Sequence, residues 1–575
     1  MSENVVLKKN PYTLARFETI QQGGWAYVDK TRYIEVLENS NAFYPFIVRP
    51  RRFGKTLFTD TLQAYYDVSA AKDFEQTFAG TYIGAHKTPL ANTYNVIRFD
   101  FSGIPSDRFE AGFLENLKNG CHDFCLRRNF EEGFAIIEKS YAQPTEFMNE
   151  FLRAYSKHFS ERIYLIIDEY DNGANDVLAS SVEDFRALTK SGGLLKTFYS
   201  LLKAHANSRG PIAWIFITGV TSIQLDSMTS GFSIAKNFSN HPKFAGMFGF
   251  SEAELRALIP QLVDLKQYGK TLDEVVARMK EWYNGYHFSV NSDESVFNAS
   301  MCLYYLDAIA DLGKEPEDML DPSVANSLDK IEAILSLGEP DFVLDTIEQA
   351  LQQRPIPFRG KMQLLNLNQR QKLDNECVLS ALVYFGFLTF VPGNKEVLVV
   401  PNRAIGIQFF EYFFKNVLLS GDYFFSLSEF SAAYQALAAG DPKPWLELSN
   451  KRLVEDSGVH MHAQLTEKVF QTMLSATLWF STDYRGQLEY ESRGEDSGFM
   501  DLLLTPRENK ALPTYVIEVK HLAVGAEDAA VAAALEAARQ QAVRYAEGEA
   551  LRDVSNLKRV AIVYKGLKIG ALDVA

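Results

Sequence analysis

The feature that most constrains this chain is an alternation of short apolar runs with longer helical stretches over residues 1–260. The runs have the length and the residue types of buried β-strands. They are FYPFIV (43–48), YNVIRFDF (94–101), RIYLIIDEY (162–170) and AWIFITGV (213–220). Such alternation is typical of a parallel sheet whose strands are joined by crossover helices. We therefore predict an α/β domain built on a parallel sheet in this part of the chain.

The pattern changes twice after residue 260. Residues 261–465 are mostly helical in pattern. From residue 466, a helix, three strands, an Ala-rich helix and a last strand follow in the order αβββαβ, which indicates a compact α/β unit of about 110 residues. A chain of 575 residues is too long for one ordinary core. We predict three domains, at residues 1–260, 261–465 and 466–575.

Composition narrows the class of protein. Apolar residues make up 47% of the chain and charged residues 23%, as in soluble globular proteins. No apolar run approaches the ~20 residues of a membrane helix. The first residues contain no apolar secretion signal, and four cysteines do not form a disulfide framework, so we predict a cytoplasmic protein with no membrane partner. The net charge of −15 argues against coating nucleic acid by bulk electrostatics, although a local basic patch would still permit a nuclease.

That basic patch is the segment RPRRFGKT, residues 49–56. It is similar to a phosphate-binding loop of the form GxxxxGK[ST], in which backbone N–H groups and the Lys approach phosphates and the Ser/Thr binds Mg²⁺. Gly54, Lys55 and Thr56 match the pattern, while Arg49 stands where the first glycine is expected. A strand precedes the loop and a helix follows it, so phosphate would lie at a helix N-terminus. We predict an ATP and Mg²⁺ site here.

Polar groups at the ends of two later strands are candidates for the same site. YLIIDEYD ends a buried strand with Asp168, which would help to hold Mg²⁺ through Thr56, and Glu169, which would orient the attacking water. WIFITG carries Thr218, which could sense the γ-phosphate. Arg52, with its neighbour Arg51, either replaces lost phosphate donors with charge or faces another group. The alternatives are a basic loop without a ligand and a strand that ends in solvent.

A second site is predicted in GFMDLLLTPRENKALPTYVIEVKHL, residues 498–522. An antiparallel hairpin folded at the midpoint of RENKAL puts Asp501 opposite Glu518, with Cβ atoms ~5 Å apart and Lys520 on the same face. Two carboxylates this close are destabilising unless a cation lies between them. Mg²⁺ or Mn²⁺ would suit their oxygens, hold a scissile phosphate and activate a bound water, while Lys520 positions that water or neutralises developing charge.

A further acid would complete this predicted metal site. Glu491, on the preceding strand, is the first choice, and Glu467, on the helix before it, is the second. The alternative interpretation of the hairpin is a solvated turn with mixed charges.

These motifs, together with YVDKTRYI, FITGVT, FGFSEAEL and WYNGYHF, occur in an order that resembles the AAA-ATPase-like proteins. In that family a degenerate P-loop domain is joined to a C-terminal nuclease-like domain of the PD-(D/E)xK superfamily. The resemblance covers residues 1–300 and 466–575. It implies a P-loop NTPase-like fold, a restriction-endonuclease-like α/β fold at the C-terminus, and RPRRFGKT as a family form of the loop.

The resemblance also bears on single residues. Gln540 or Gln541 resembles the glutamine that some of these nucleases add to the site. WYNGYHF (282–288) and Asn298 resemble a family motif whose role the sequence does not define. The family commonly has Gly-Arg before the first Asp, whereas this chain has GFMD. That departure weakens the prediction of an active nuclease more than the prediction of the fold.

Two functions follow from these sites. The first is an ATP-binding, ATP-hydrolysing protein that controls a metal-dependent nuclease, with DNA expected as the substrate ahead of RNA, and with a homo-oligomer left open. The second is a nucleotide-dependent switch or scaffold whose nuclease-like domain is inactive and binds partners. A purely structural protein, with both sites empty, is the third alternative.

Overall fold

The chain folds into two compact units. The first unit is Met1–Glu339 with Pro357–Asn402, and the second is Pro340–Ile356 with Arg403–Ala575. The computed structural model describes residues 7–190, 192–222, 234–321, 332, 334–362, 372–413, 427–456, 466–481, 483–492, 498–507, 509–548, 551–552 and 554–575. The unit limits differ from the predicted boundaries at 260 and 465, because helices of the predicted middle region belong to both units. The three-domain division stays a prediction.

A parallel sheet of five strands forms the centre of the first unit. Its order is β2-β3-β4-β1-β5, and each neighbouring pair is parallel. The strands are β1 (Pro45–Val48), β2 (Asn95–Asp100), β3 (Ile163–Asp168), β4 (Ile212–Gly219) and β5 (Lys236–Asn237). The first four coincide with the predicted apolar runs, and β1, β3 and β4 are buried throughout. The predicted P-loop NTPase-like sheet is confirmed.

Helices surround this sheet and fill most of the remaining first unit. None of the described helices is both long enough and apolar enough to cross a membrane. The α-helices are Phe17–Gln22, Arg32–Glu38, Lys55–Tyr66, Phe74–Thr77, Tyr82–Ala85, Phe109–Arg128, Glu131–Ser140, Pro144–His158, Asn172–Ser180, Val182–Thr189, Leu194–His205, Glu252–Leu262, Leu265–Tyr268, Leu272–Tyr283, Ala299–Leu312 and Asn375–Phe385.

The predicted middle region is mostly helical, as expected, but it also contains a small hairpin that the sequence analysis missed. Its strands are β7 (Thr389–Val391) and β8 (Asn394–Val399), and they follow β6 (Ile356–Pro357), a two-residue strand at the limit of the two units. Gly393 adopts a φ of 71° in the turn, a conformation that glycine takes without strain. The short strands give too few alternations for periodicity to detect.

The second unit contains a mixed sheet in the order β13-β12-β11-β10-β9. The strands are β9 (Tyr484–Ser492), β10 (Gly498–Pro506), β11 (Thr514–Leu522), β12 (Leu557–Lys565) and β13 (Lys568–Val574). The helices Glu467–Thr477 and Asp528–Ala546 contact this sheet, so the predicted αβββαβ order is present, with β13 as an additional edge strand. The other helices of the unit are Pro340–Leu351, Arg403–Phe413, Leu427–Ala438 and Lys443–Asp456.

Candidate functional site

A cavity of about 610 Å³ lies in the first unit beside the loop RPRRFGKT. Its lining includes Gly54, Lys55, Thr56, Asp100 and Glu169. The loop follows β1, Asp100 ends β2, and Glu169 follows β3. Because the carboxyl ends of parallel strands meet at one edge of a sheet, these three strands deliver their polar residues to the same crevice, the usual place for a ligand in such folds. The structure therefore brings the loop and Glu169, which the sequence analysis assigned to one site, to the same cavity.

The loop turns into the helix Lys55–Tyr66 at Gly54, whose φ is 93°. Only glycine adopts this left-handed conformation without steric penalty. The first intrahelical bond runs from the Phe58 N–H to the Gly54 carbonyl at 3.1 Å. The backbone N–H groups that come before Phe58 in the first turn have no partner inside the helix. Together with the helix dipole, they favour an anion at this end of the helix. The geometry agrees with a phosphate site at Gly54, Lys55 and Thr56.

Lys55 is buried and ion-paired across the cavity. Its Nζ lies 3.3 Å from Glu169 Oε1 and donates to the carbonyls of Arg49 and Pro50, each at 3.1 Å. Glu169 itself has a φ of 48°, in the left-handed region that costs a residue with a side chain about 1–2 kcal/mol. A phosphate that bound Lys55 would compete with this carboxylate. The ammonium group that should bind phosphate and the carboxylate that should orient water are therefore in direct contact.

Asp168 is fully buried at the end of β3 and is not part of the cavity lining. Its Oδ2 accepts a hydrogen bond from Thr59 Oγ1 at 3.1 Å and lies 3.3 Å from Arg98 Nη2. Burial raises the pKa of Asp168, the charge of Glu169 raises it further, and the Arg98 guanidinium opposes both. The predicted intermediary, Thr56, lines the cavity, but the threonine that Asp168 contacts is Thr59, three residues further along the same helix.

The remaining predicted groups of this site separate into two sets. Arg51 and Arg52 line the cavity, and Arg51 Nη2 donates to Asn172 Oδ1 at 2.6 Å. Thr218 is buried in β4, where its hydroxyl donates to the Ile47 carbonyl of β1 at 2.7 Å, and it is not part of the cavity lining. The structure thus brings Arg52 to the predicted phosphate site and places Thr218 between two strands of the sheet.

The second predicted site lies on the hairpin β10–β11. Leu502 pairs with Ile517, so the register puts Asp501 opposite Glu518, as the turn midpoint predicted. The Asp501 N–H donates to Glu518 Oε1 at 3.3 Å, and Asp501 Oδ2 accepts from the Val519 N–H at 2.7 Å. Lys520 Nζ lies 3.9 Å from Asp501 Oδ2. Two carboxylates and one lysine converge on this hairpin.

Glu467 joins this group from the helix Glu467–Thr477. Its Oε2 lies 3.9 Å from Lys520 Nζ, and its Oε1 accepts from the His521 N–H at 3.4 Å. The backbone of Glu491 pairs with Phe499 in β9–β10, and its side chain lies outside the described residues. Glu467, the second choice from sequence, is therefore the acid that the structure places beside Lys520.

The electrostatics of the hairpin favour an added positive charge. Glu518 is buried, and burial together with the Asp501 carboxylate raises the pKa of Glu518 to about 8. Burial also raises the pKa of Asp501, against the hydrogen bond from Val519 and the charge of Lys520. Within the described ranges, no three or more His, Cys, Asp or Glu side chains form a metal-binding group. The described candidate is thus a pair of carboxylates flanked by a lysine and Glu467.

Among the described contacts, neither glutamine of the Ala-rich helix forms a hydrogen bond with Asp501, Glu518 or Lys520. Gln540 is exposed, and its Nε2 donates to Glu536 Oε1 at 3.0 Å within the same helix. Gln541 is half-buried. A role for either residue in the site stays a prediction.

Comparison with known families decides the identity of both regions. Residues 11–229 match the model described as a predicted AAA-ATPase, and residues 465–571 match the PD-(D/E)XK nuclease superfamily. The chain joins an AAA-ATPase-like domain to a PD-(D/E)XK nuclease-superfamily domain. The two matched segments contain the cavity loop and the hairpin described above, although the cavity lining also includes residues 247–250 and 299, 300 and 303, beyond the first segment.

Two known proteins are similar to parts of the chain. A protein of Azotobacter chroococcum mcd 1, described as an uncharacterized protein in the vnfD 5' region, is 26% identical over 294 residues, 51% of this chain and 50% of that protein. The chain thus spans about half the length of this curated relative. A Walker-type ATPase of Pyrococcus abyssi is 11% identical, covers 67% of this chain and 96% of its own, and superposes with a TM-score of only 0.38.

The AAA-ATPase-like domain also contains polar residues that the sequence analysis missed. Arg98, which pairs with both Asp168 and Asp60, was visible as a charged residue inside the apolar run YNVIRFDF. Asn172 accepts from Arg51 at the cavity, yet it carries no signal beyond its position after the strand end. A charge in an otherwise apolar strand is the kind of exception that could have identified Arg98 in advance.

Proposed function

We propose that this chain binds and hydrolyses ATP in its AAA-ATPase-like domain and thereby controls a nuclease domain that hydrolyses phosphodiester bonds with Mg²⁺ or Mn²⁺. The observation that carries the proposal is the position of two acidic residues, Asp501 and Glu518, opposite each other on the hairpin, with Lys520 Nζ 3.9 Å from the Asp501 carboxylate. Two carboxylates that share a site destabilise each other, so their pairing calls for a function. The same segment matches the PD-(D/E)XK nuclease superfamily, which supports metal binding as that function.

The carboxylate pair fits a hard divalent cation. Asp501 and Glu518 offer oxygen ligands, and Mg²⁺ is usually held by one or two carboxylates with water and substrate phosphate completing its shell. Burial and then the Asp501 carboxylate raise the pKa of Glu518, and the second of these causes supports the binding of a cation between the two carboxylates. Asp501 and Glu518 would hold the ion, with Glu467 or Glu491 as the further acid.

A cation bound there would supply Lewis acidity to the scissile phosphate and to a coordinated water. Lys520 holds its ammonium group at the edge of the pair, where it can orient the attacking water and offset negative charge that develops on phosphorus oxygens. The Val519 N–H fixes the Asp501 carboxylate by a 2.7 Å hydrogen bond, so this ligand needs no reorganisation before the reaction.

The nucleotide half of the proposal rests on the loop and its cavity. Gly54, Lys55 and Thr56 would hold the phosphates and Mg²⁺ at the start of their helix, with Arg52 at the same cavity wall. Glu169 would orient the attacking water once the phosphate displaces it from Lys55, and Asp168 would help to hold the Mg²⁺. Control of the nuclease then requires that ATP bind one conformation of the chain more tightly than another.

A cleavage assay tests the proposal. Wild type and Asp501→Asn are incubated with Mg²⁺ or Mn²⁺ and with linear, circular and single-stranded DNA or RNA, each with and without ATP. Cleavage of DNA by wild type alone, with a rate that changes on adding ATP, is the expected result. Equal cleavage by both proteins, from preparations that share no contaminating nuclease, would remove the assignment of Asp501.

One observation favours the second candidate, a nucleotide-dependent scaffold. Phe499, in the position where the superfamily commonly has the Arg of Gly-Arg, is 61% exposed two residues before Asp501. An exposed aromatic beside the site suits a binding surface better than a polar substrate channel. Binding of ATP with no cleavage of any substrate under all metal conditions would support this candidate over the nuclease.

A further inference from the structure

We infer that Tyr286 and Phe288 of the segment WYNGYHF, together with Asn298, are a brace for the nucleotide loop, and that Arg49 is part of the same brace and not a phosphate ligand. This inference rests on the proposed nucleotide site and assigns the residues that hold its loop in shape. The brace consists of Arg49, Tyr286, Phe288 and Asn298, with backbone groups of Gly249 and Ser300.

Aromatic contacts form the first part of the brace. Phe53, inside the loop, is buried against the rings of Tyr286 and Phe288, with ring centroids 4.9 Å and 5.3 Å away and interplanar angles of 85° and 77°. Edge-to-face pairs of this kind contribute about 0.5–1.5 kcal/mol each beyond the area they bury. Two aromatic residues of WYNGYHF therefore fix the side chain that precedes Gly54.

Backbone hydrogen bonds form the second part. Three consecutive loop carbonyls are each bonded outside the loop. The Arg51 carbonyl accepts from Asn298 Nδ2 at 3.5 Å, the Arg52 carbonyl from the Ser300 N–H at 3.1 Å, and the Phe53 carbonyl from the Gly249 N–H at 2.9 Å.

These anchored carbonyls set the direction of the loop amides. The chain has no cis peptide bond, and in a trans peptide the N–H points opposite to the carbonyl of the same plane. The N–H groups of Arg52, Phe53 and Gly54 are thereby turned away from the anchoring groups. None of these three donates to a backbone acceptor elsewhere in the described residues. An array of unused, fixed N–H groups is what an anion-binding loop requires.

Arg49 completes the brace from the other end of the loop. Its side chain is 1% exposed, and its guanidinium donates to the carbonyls of Val48, Ser239 and Phe244 at 2.8, 2.6 and 2.8 Å. Its Cζ lies 4.2 Å from the centre of the Phe288 ring. The cavity lining does not include Arg49. The side chain of Arg49, which stands in place of the usual glycine, thus points into the protein interior. There its planar guanidinium donates hydrogen bonds to three different carbonyl groups.

In this inference the hydrogen-bonding geometry of Arg49, and not its charge, holds the loop, and two substitutions test this. Arg49→Lys keeps the positive charge but cannot reach three carbonyls at once, whereas Arg49→Gln loses both. We expect both variants of the full chain to bind a fluorescent ATP analogue at least tenfold more weakly than wild type. Phe288→Leu should weaken binding of the analogue to the same extent. Asn298→Ser retains the N-cap of the helix Ala299–Leu312 but loses the side-chain donor to the Arg51 carbonyl, so it should weaken binding about threefold.

Tyr283→Phe is the matched control from the same motif. It removes one buried hydrogen bond, from the Tyr283 hydroxyl to the Met319 carbonyl at 2.8 Å, and leaves the loop contacts intact. Its nucleotide affinity should equal that of wild type. Amide hydrogen exchange supplies a second readout, because the N–H groups of Gly249 and Ser300 donate to the loop carbonyls. In the absence of nucleotide these two amides should exchange faster in the brace variants than in wild type, and should not in Tyr283→Phe.

The outcomes separate the two proposals. If wild type binds no ATP analogue, the proposed nucleotide site fails, while faster exchange at Gly249 and Ser300 in Arg49→Lys would still support the brace. If wild type binds and Arg49→Lys binds equally well, the brace is wrong. Retention by Arg49→Lys with loss in Arg49→Gln would also overturn it, because charge at that position would then be the property that matters.

Discussion

At Glu518, burial and a neighbouring carboxylate act in the same direction on one proton. They raise the pKa of this carboxyl from its ordinary value of 4.5 to about 8. In this window the folded chain keeps a proton that the unfolded chain has released, so folding takes up a proton. The free energy of unfolding should therefore fall as pH rises from 4.5 to 8, by roughly a few kcal/mol if no cation is present.

Calorimetry of the full chain in chelator, between pH 5 and pH 9, tests this effect. The neutral variant Glu518→Gln should lose part of the fall in Tm that wild type shows, and should be the more stable protein at pH 8. Added Mn²⁺ should raise the wild-type Tm at pH 8 and leave the variant little changed, since the cation replaces the proton. Identical pH slopes in both proteins would contradict the prediction.

Lys520 is the residue whose loss should separate cleavage from folding. We expect Lys520→Ala to lower the cleavage rate by at least about 100-fold, the usual effect of removing one group that stabilises transition-state charge. ATP binding should be unchanged. Lys510→Ala is the control, since Lys510 is exposed in the turn of the same hairpin. Normal cleavage by Lys520→Ala would remove this residue from the proposed mechanism.

Single residues differ in how far the sequence reveals them. The sequence predicted that Asp501 lies opposite Glu518 once the midpoint of the turn was known, because the turn of an antiparallel hairpin determines which residues pair along both strands. The direction of the Arg49 side chain could not follow in this way. It depends on Ser239 and Phe244, about 190 residues away, and no local pattern encodes a contact over that separation.

Among the elements, the helix Lys55–Tyr66 depends on one backbone conformation. Gly54 has open space around its Cα, so an added methyl group meets no atom, and only its φ of 93° opposes a side chain. We expect Gly54→Ala to destabilise the first unit by about 1–2 kcal/mol and to weaken ATP binding. Thermal unfolding and titration with an ATP analogue measure the two effects.

Gly525→Ala is the matched control for Gly54→Ala. Gly525 has equally open surroundings and no positive φ, so the added methyl group should leave both the Tm and the nucleotide affinity near those of wild type. An unchanged Tm and affinity in Gly54→Ala itself would show that the loop can adopt another conformation.

The elements that the sequence predicted are those with long and uniform signals. The four buried runs of the first unit became β1 to β4, because a strand that is buried on both faces is apolar at every position. The strand β13 was missed, since its glycine, Gly570, and its exposed edge position weaken the pattern. The hairpin β7–β8 was missed for a different reason, because its strands of three and six residues are too short to give a clear alternation within a mostly helical region.

For the whole molecule, the informative variant is Lys55→Ala. If ATP controls the nuclease, this substitution should abolish ATP binding and the ATP-dependent change in cleavage, while the ATP-independent rate remains. Lys72→Ala, at an exposed lysine, should behave as wild type. Cleavage that still responds to ATP in Lys55→Ala would show that the nucleotide acts elsewhere, and unchanged ATP binding would show that the loop is not its site.

The chain-level organisation was only partly accessible from the sequence. Pattern changes near residues 260 and 466 mark where the local preference of the chain alters. The limits of the two compact units are instead set by which helices pack together. The helix Pro340–Leu351 belongs to the second unit, although residues 1–339 and 357–402, on either side of its segment, belong to the first. A segment that leaves one unit and returns to it gives no signal in local composition.

The anchored carbonyls of Arg51, Arg52 and Phe53 have a consequence for the speed of ligand capture. A loop whose peptide planes are already held has no ordering step left to complete when its ligand arrives. Nucleotide association should therefore follow a single phase whose rate rises in proportion to nucleotide concentration, with only the Lys55–Glu169 ion pair to exchange. Loosening the anchors would add a slower phase that saturates at high nucleotide concentration, because the loop would then have to rearrange during each encounter.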